Sequence, residues 1–176
     1  MMKIVRNFFV FSLFFLFFIS CDTTNTEKDA TLLTIDQLRF TPGYEWYDIE
    51  YQSYVPNPVT ISQIKNVLMN KDFQYYIYVN PSCACTGTQK QFPSIMKVLF
   101  ESGVTQNKLE IYSMIKTTNN HPYKNKLRIN DLPAFFVVKD SVPLVSVIDT
   151  LVNRKANNSN YDPKIEDLFL ELITNL

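Results

Sequence analysis

The sequence predicts an α/β fold, with a mixed sheet flanked by helices on both faces. Segments that alternate or are rich in β-branched and aromatic residues, typical of strands, interleave with segments of helical apolar periodicity. Near the carboxyl end, two strand patterns are separated only by a short polar turn, which indicates an antiparallel pair. Together these observations favour a mixed sheet covered by helices.

The first half of this order is strand, helix, strand. Residues 46–55 alternate between apolar and polar, which predicts a strand. Its apolar side consists of Tyr47, Ile49, Tyr51 and Val55. Thr60 begins a capping box with Gln63 and opens a helix. Residues 73–79 are aromatic and β-branched, which predicts a buried strand.

The second half is helix, strand, connection, hairpin and helix. Apolar residues at helical spacing follow Gln89, and this helix ends at Gly103. The next segments are a strand at 108–115, a polar connection at 117–131, hairpin strands at 134–138 and 144–148, and an Asn-rich loop at 155–161. Asp162 as N-cap, with Pro163 in the first turn, opens the last helix.

Composition limits the classes of function. The chain has 176 residues, which suits one domain, placed at residues 41–176. Its 17 Lys and Arg balance 17 Asp and Glu, so no basic face for nucleic acid is expected. The single His excludes a His-rich metal cluster, and no cofactor is predicted.

The first twenty residues have the pattern of an export signal. Lys3 and Arg6 precede residues 8–19, a twelve-residue run that is apolar except for Ser12. A bilayer span needs about 20 residues, so this run is too short to cross a membrane. Residues 1–20 are therefore predicted to be a signal peptide.

The end of this run resembles a bacterial lipoprotein signal. Ser20 is a small residue directly before Cys21. The resemblance implies that Cys21 carries lipid after cleavage, which anchors the domain to a membrane of the cell envelope, outside the cytoplasm. Residues 21–40 are then the lipid anchor and a flexible tether. The alternative is an ordinary signal peptide with an incidental cysteine.

A segment with two cysteines, NPSCACTGTQKQFPSI, follows the buried strand. With Cys21 assigned to lipid, Cys83 and Cys85 are the remaining thiols. A disulfide between them closes almost no loop, so it would contribute little to stability. A thiol between a strand and a helix start lies where backbone N–H groups and the helix dipole favour thiolate, which suits a nucleophile.

The order of elements and two motifs over residues 60–176 resemble the thioredoxin fold. In that family a proline lies eight residues after the nucleophilic cysteine, and here Pro93 lies eight after Cys85. The resemblance therefore implies Cys85 as nucleophile, with Thr88 where the family has its second cysteine. Cys83 is then the resolving thiol, and the Thr88 hydroxyl is expected to bond the Cys85 thiolate.

A second motif precedes the predicted hairpin. Pro133 resembles the family's cis-proline, whose loop packs against the active cysteine. The resemblance implies an exported, membrane-anchored thiol–disulfide oxidoreductase whose partners are protein thiols or disulfides of the envelope. Two alternatives stay open. One is a non-catalytic binding module on the same fold. The other is a Cu(I)-handling protein using Cys83, Cys85 and His121.

Overall fold

The computed structural model of the chain describes residues 29–176, in which five strands and six α-helices occur. The strands are β1 (Thr31–Leu33), β2 (Gln74–Val79), β3 (Leu109–Ser113), β4 (Ala134–Lys139) and β5 (Val142–Ser146). The helices are α1 (Ile35–Phe40), α2 (Tyr47–Ser53), α3 (Pro58–Leu68), α4 (Phe92–Glu101), α5 (Val147–Asn157) and α6 (Ile165–Thr174). The signal peptide and Cys21 lie outside the described residues.

The strands form one mixed sheet in the order β1-β3-β2-β4-β5. β2 and β3 are parallel, and the other neighbouring pairs are antiparallel. The predicted mixed α/β class is therefore confirmed. The parallel pair brings the carboxyl ends of β2 and β3 to the same edge, where Val79 lies opposite Ser113.

The central strand β2 is buried on both faces, as its aromatic sequence predicts. Tyr75, Ile77 and Val79 join the larger core cluster on one face, while Tyr76 and Tyr78 join a second cluster on the other. All five side chains are at most 2% exposed. Alternating orientation along a strand explains how one sequence supplies both cores.

The prediction of helices on both faces is wrong for residues 29–176. Every one of the six helices contributes its buried side chains to the larger cluster, on a single face. The second face is covered by the connection between β3 and β4, which buries Leu127 and Ile129 over the sheet tyrosines. These two apolar residues are two positions apart, so they suit an extended segment better than a helix.

The strand predicted at residues 46–55 is also wrong, because this segment forms α2. Its aromatic residues Tyr47, Tyr51 and Tyr54 recur at i, i+4 and i+7, which places them on one helical face against the core. Ile49 and Val55, expected inside, are 70% and 77% exposed. Tyr47 and Tyr51 fit both the period-two spacing of a strand and the i, i+4 spacing of a helix. Packing of these tyrosines against the core favours the helix.

Residues 31–40 are ordered, although they were predicted to belong to the flexible tether. β1 pairs with β3, with Thr31 opposite Ser113. α1 begins at a complete capping box in which Thr34 and Gln37 bond each other's backbone N–H groups. Ile35 and Leu38 bury the inner face of this short helix.

Two helices begin at residues other than those predicted, whereas the predicted hairpin is found. α3 is capped by Asn57 and begins at Pro58, rather than at the Thr60 box. Lys164 and not Asp162 precedes α6. The predicted hairpin is present, with Asp140 and Ser141 both at positive φ, the conformation of a tight two-residue turn.

The predicted second hairpin strand ends early, and a helix follows it. Ser146 is the N-cap of α5, since its hydroxyl accepts a hydrogen bond from the Asp149 N–H at 3.3 Å. α5 then extends into the predicted Asn-rich loop as far as Asn157. Within residues 29–176, no helix has the length and apolar character needed to cross a bilayer.

Candidate redox site

The two-cysteine segment leaves the carboxyl end of β2 as an ordered turn. Asn80 organises this turn, because its side-chain oxygen accepts from the Ser82 N–H at 2.9 Å. Its amide nitrogen donates to the Ile115 carbonyl at 3.2 Å, which ties the turn to the end of β3. The segment is therefore positioned by both parallel strands.

Cys83 and Cys85 are joined by a disulfide, and their Cα atoms are 5.1 Å apart. Cys85 is exposed and Cys83 is partly buried. Because exchange requires a thiolate to reach a sulfur along the S–S axis, the more exposed residue is the accessible one.

Each sulfur of this disulfide has one hydrogen-bond donor. The Cys85 N–H donates to Cys83 Sγ at 3.3 Å. Thr88 Oγ1 lies 3.3 Å from Cys85 Sγ, and since a disulfide sulfur carries no proton, the hydroxyl is the donor. Thr88 is fully buried, so its side chain is fixed by packing.

Helical structure starts immediately after Cys85, but not as an α-helix. Gly87–Gln91 form one π-helical turn, which continues into α4. Pro93 has no N–H to donate to the preceding turn, so the regular α-helical pattern is interrupted there. The Gln89 N–H bonds the Cys85 carbonyl at 3.0 Å, which places Cys85 at the beginning of this helical segment.

The structure brings Pro133 next to the cysteine segment. The Leu132–Pro133 peptide bond is cis, the isomer that the resemblance implies. A β-carbon built on Gly87 would lie 3.5 Å from Pro133 Cδ, so the proline ring lies on the open side of this glycine. Cys83, Cys85, Thr88 and Pro133 are thus assembled at one edge of the sheet.

Residues before α3 also support the site, and the sequence did not reveal them. Gly43 has a φ of +94°, and a β-carbon there would lie 2.9 Å from the Pro81 carbonyl oxygen. Trp46 Nε1 donates to the Gly43 carbonyl at 2.8 Å, which holds this close approach. The signal present was the dipeptide Pro42-Gly43, which marks a turn but not its contact.

Two further contacts join the amino-terminal helices to the site. Lys90, in the π-helical turn, forms an ion pair with Glu50 of α2 at 2.6 Å. Tyr44 donates to Ser113 Oγ at 2.9 Å at the end of β3, and burial raises the pKa of Tyr44 to about 12. The cysteine segment is therefore positioned by the end of β3, by the turn at Gly43 and by α2.

His121 occupies a different environment from the cysteines. It is 7% exposed, packs edge-on against Tyr78, and its Nδ1 lies 3.2 Å from the Tyr78 hydroxyl. Burial, with a smaller effect of Lys124, lowers the pKa of His121 below its ordinary value. In the described part of the chain, no three His, Cys, Asp or Glu side chains are grouped as metal ligands, so Cys83, Cys85 and His121 are not assembled into one site.

The chain has no match among protein-family models, curated proteins or solved structures.

Proposed function

We propose that this protein is a thioredoxin-like thiol–disulfide oxidoreductase, exported and anchored to a membrane by lipid on Cys21. The observation that carries the proposal is the Cys83–Cys85 disulfide, in which Cys85 is exposed and each sulfur has a hydrogen-bond donor. Protein thiols of the cell envelope are its partners, and an oxidising compartment is consistent with a disulfide at this site.

The proposed reaction begins with attack on Cys85. A client thiolate forms a bond to Cys85 Sγ, and the Cys83–Cys85 bond breaks to release Cys83 as thiolate. A second client thiolate then attacks the client sulfur of the mixed disulfide and releases Cys85 as thiolate. Two electrons pass from the client dithiol to the protein, which ends with two reduced cysteines, while the client gains one disulfide.

The donors suit both leaving groups. The Cys85 N–H lies where the departing Cys83 thiolate forms, and the Thr88 hydroxyl lies where the Cys85 thiolate forms. Hydrogen bonds to a charged acceptor are roughly twice as strong as those to a neutral one, so each donor favours the reduced form. Thr88 therefore takes a supporting role at the place of the family's second thiol.

Pro133 is proposed to shape the surface on which the client segment lies. Its position beside Gly87 brings the loop before β4 close to the cysteine segment. Pro133 has no N–H, and the Leu132 N–H donates to Asp131 Oδ1 at 2.7 Å, so the Leu132 carbonyl is the backbone group proposed to pair with a bound peptide.

Paired cysteine variants test the proposal. In Cys83→Ser, a client peptide disulfide attacked by Cys85 forms a mixed disulfide that cannot be resolved, so it accumulates and is detected by non-reducing electrophoresis. Cys85→Ser is the matched control and should trap far less. An absence of exchange in either redox state, with insulin as disulfide substrate and a reduced dithiol peptide as thiol substrate, would instead favour the non-catalytic binding module.

The anchor and the copper alternative have separate tests. Labelled palmitate should be incorporated into the wild-type chain and not into Cys21→Ala, and equal labelling of both would contradict the anchor. For Cu(I), anaerobic titration of the reduced protein should show no tight site that depends on His121. Weaker binding in His121→Ala would favour copper handling over the proposal.

A further inference from the structure

The connection between β3 and β4 carries a concentration of positive charge. Residues 116–131 contain Lys116, Lys124, Lys126 and Arg128, all exposed, and only one acid, Asp131. Four positive charges and one negative give a local net charge of +3, in a chain whose formal net charge is +0. The overall balance therefore conceals a basic area.

Among residues 29–176, these four cations form no ion pair with a carboxylate. Elsewhere in the described chain six cations form ion pairs: Arg39, Lys90, Lys97, Lys108, Arg154 and Lys155. Within residues 29–176, no carboxylate oxygen approaches any of the four in the connection to within 4.0 Å. Lys124 donates to the Thr118 carbonyl at 3.1 Å, which orders its ammonium group without cancelling its charge.

A cavity of about 490 Å³ lies between the two arms of this connection. Lys124 and Arg128 are charged lining residues, and Thr117 and Asn130 add uncharged polar groups. Leu127 is buried and contributes an apolar wall. A cavity of this size, with a few polar groups over an apolar wall, is large enough for one or two side chains of a peptide.

Both ends of the connection meet the cysteine segment. At its start, the carbonyl of Ile115 accepts from Asn80, three residues before Cys83. At its end, Pro133 lies beside Gly87, two residues after Cys85, with its Cδ 3.5 Å from where a β-carbon of Gly87 would be. A polypeptide bound along the connection would therefore have part of its chain close to the disulfide.

We infer that the connection is a docking surface for an acidic segment of a client polypeptide, whose Asp and Glu side chains face Lys124 and Arg128. The inference rests on the proposed function, since it assigns the class of substrate to the same redox site. Opposite charges at the rim of an interface mainly raise the rate of association and select between partners.

Peptide binding to the oxidised full chain, in a nonionic detergent, tests this surface without any redox step. Two fluorescein-labelled twelve-residue peptides that lack cysteine are compared, one rich in Glu and the other with each Glu replaced by Lys. Fluorescence anisotropy should show that the acidic peptide binds on the order of tenfold more tightly at low salt. The difference should disappear near 1 M salt, where screening reduces the range of exposed charges to about 3 Å.

Charge-reversed variants locate the binding. The double variant Lys124→Glu, Arg128→Glu should lose the preference for the acidic peptide. The matched control is Lys65→Glu, Lys164→Glu, which makes the same change in net charge at two exposed cations outside the connection, and it should keep the preference. Equal binding of both peptides, or equal loss in the two double variants, would overturn the inference.

Three additional outcomes separate this inference from alternative explanations and from the proposed function. If vesicles containing phosphatidylglycerol displace the acidic peptide and phosphatidylcholine vesicles do not, the surface recognises lipid headgroups and the peptide assignment is overturned. If disulfide exchange occurs with a small dithiol but shows no preference for acidic clients, the proposed function stands and the inference fails. Charge-selective binding without any exchange would support the docking surface and contradict the oxidoreductase.

Discussion

Replacing Thr88 by Val tests whether the hydroxyl beside Cys85 favours the reduced state. Val keeps the shape of this fully buried side chain and removes the donor that lies 3.3 Å from Cys85 Sγ. A hydrogen bond to a charged acceptor contributes about 1.5–3 kcal/mol and one to a neutral acceptor about 0.5–1.5 kcal/mol. The thiolate therefore loses about 1 kcal/mol more than the disulfide does.

That difference converts directly into a reduction potential. For a two-electron couple, about 1.4 kcal/mol corresponds to about 30 mV, so Thr88→Val should lower the potential by roughly 20–30 mV. The direction is towards a disulfide that is harder to reduce, because the variant destabilises the reduced form. The measurement is equilibration with defined ratios of reduced and oxidised glutathione, followed by quantification of free thiols.

Thr88→Ser is the matched control for this experiment. It keeps the hydroxyl and removes one buried methyl group, so the potential should stay close to wild type while the free energy of unfolding falls by about 1 kcal/mol. The reasoning is refuted if Thr88→Val leaves the potential unchanged, or if Thr88→Ser lowers it equally.

Three further predictions concern stability, measured by urea unfolding. Gly43→Ala should lower the free energy of unfolding by about 2–4 kcal/mol, because it combines a φ of +94° with a clash against the cysteine turn. Gly103→Ala, at a φ of +87° with open space around it, should lower it by only about 1–2 kcal/mol. Glu166→Ala should cost about 3 kcal/mol, since this fully buried carboxylate accepts two hydrogen bonds, whereas the exposed Glu101→Ala should change stability by less than about 0.5 kcal/mol. Because burial lowers the pKa of His121 from 6.5, the unfolded chain binds its proton more readily, so stability should fall as the pH drops through that value, and fall less in His121→Phe. Equal costs at the two glycines, a neutral Glu166→Ala, or identical pH slopes would each contradict the corresponding argument.

The sequence allowed good prediction where one pattern dominated. The last five residues of β2, Tyr75 to Val79, are all aromatic or β-branched, and their burial on both faces follows from that composition. The apolar stripe of α4 has only one consistent period. In both cases local pattern and tertiary packing favour the same structure, so the prediction required no knowledge of neighbours.

Prediction failed where packing chose between two patterns. Alternation in residues 46–55 also contains tyrosines at helical spacing, and only the position of the segment over Phe92 favours the helix. Ser146 and Asp149 formed a recognisable helix start that the preceding strand pattern obscured. The supporting role of Gly43 depends on a contact with a residue 38 positions away, which no local pattern records.

The candidate site also combines features that the sequence predicted with features that it did not. The resemblance to the thioredoxin fold singled out Cys85 through the position of Pro93. The structure places Thr88 Oγ1 3.3 Å from Cys85 Sγ and places Pro133 beside Gly87. The basic connection was not predicted, because its local charge of +3 lies within a chain whose formal net charge is +0.

The pairing of β1 with β3 fixes where the chain enters the fold. Thr31 lies opposite Ser113, and the Ala30 N–H bonds the Asn120 carbonyl, so the entry point is at the same edge of the sheet as the cysteine turn. With lipid on Cys21, the eight residues between Cys21 and Ala30 would span at most about 30 Å. Such a short tether would keep the disulfide close to the membrane surface. Clients would then have to expose their thiols at that distance from the bilayer.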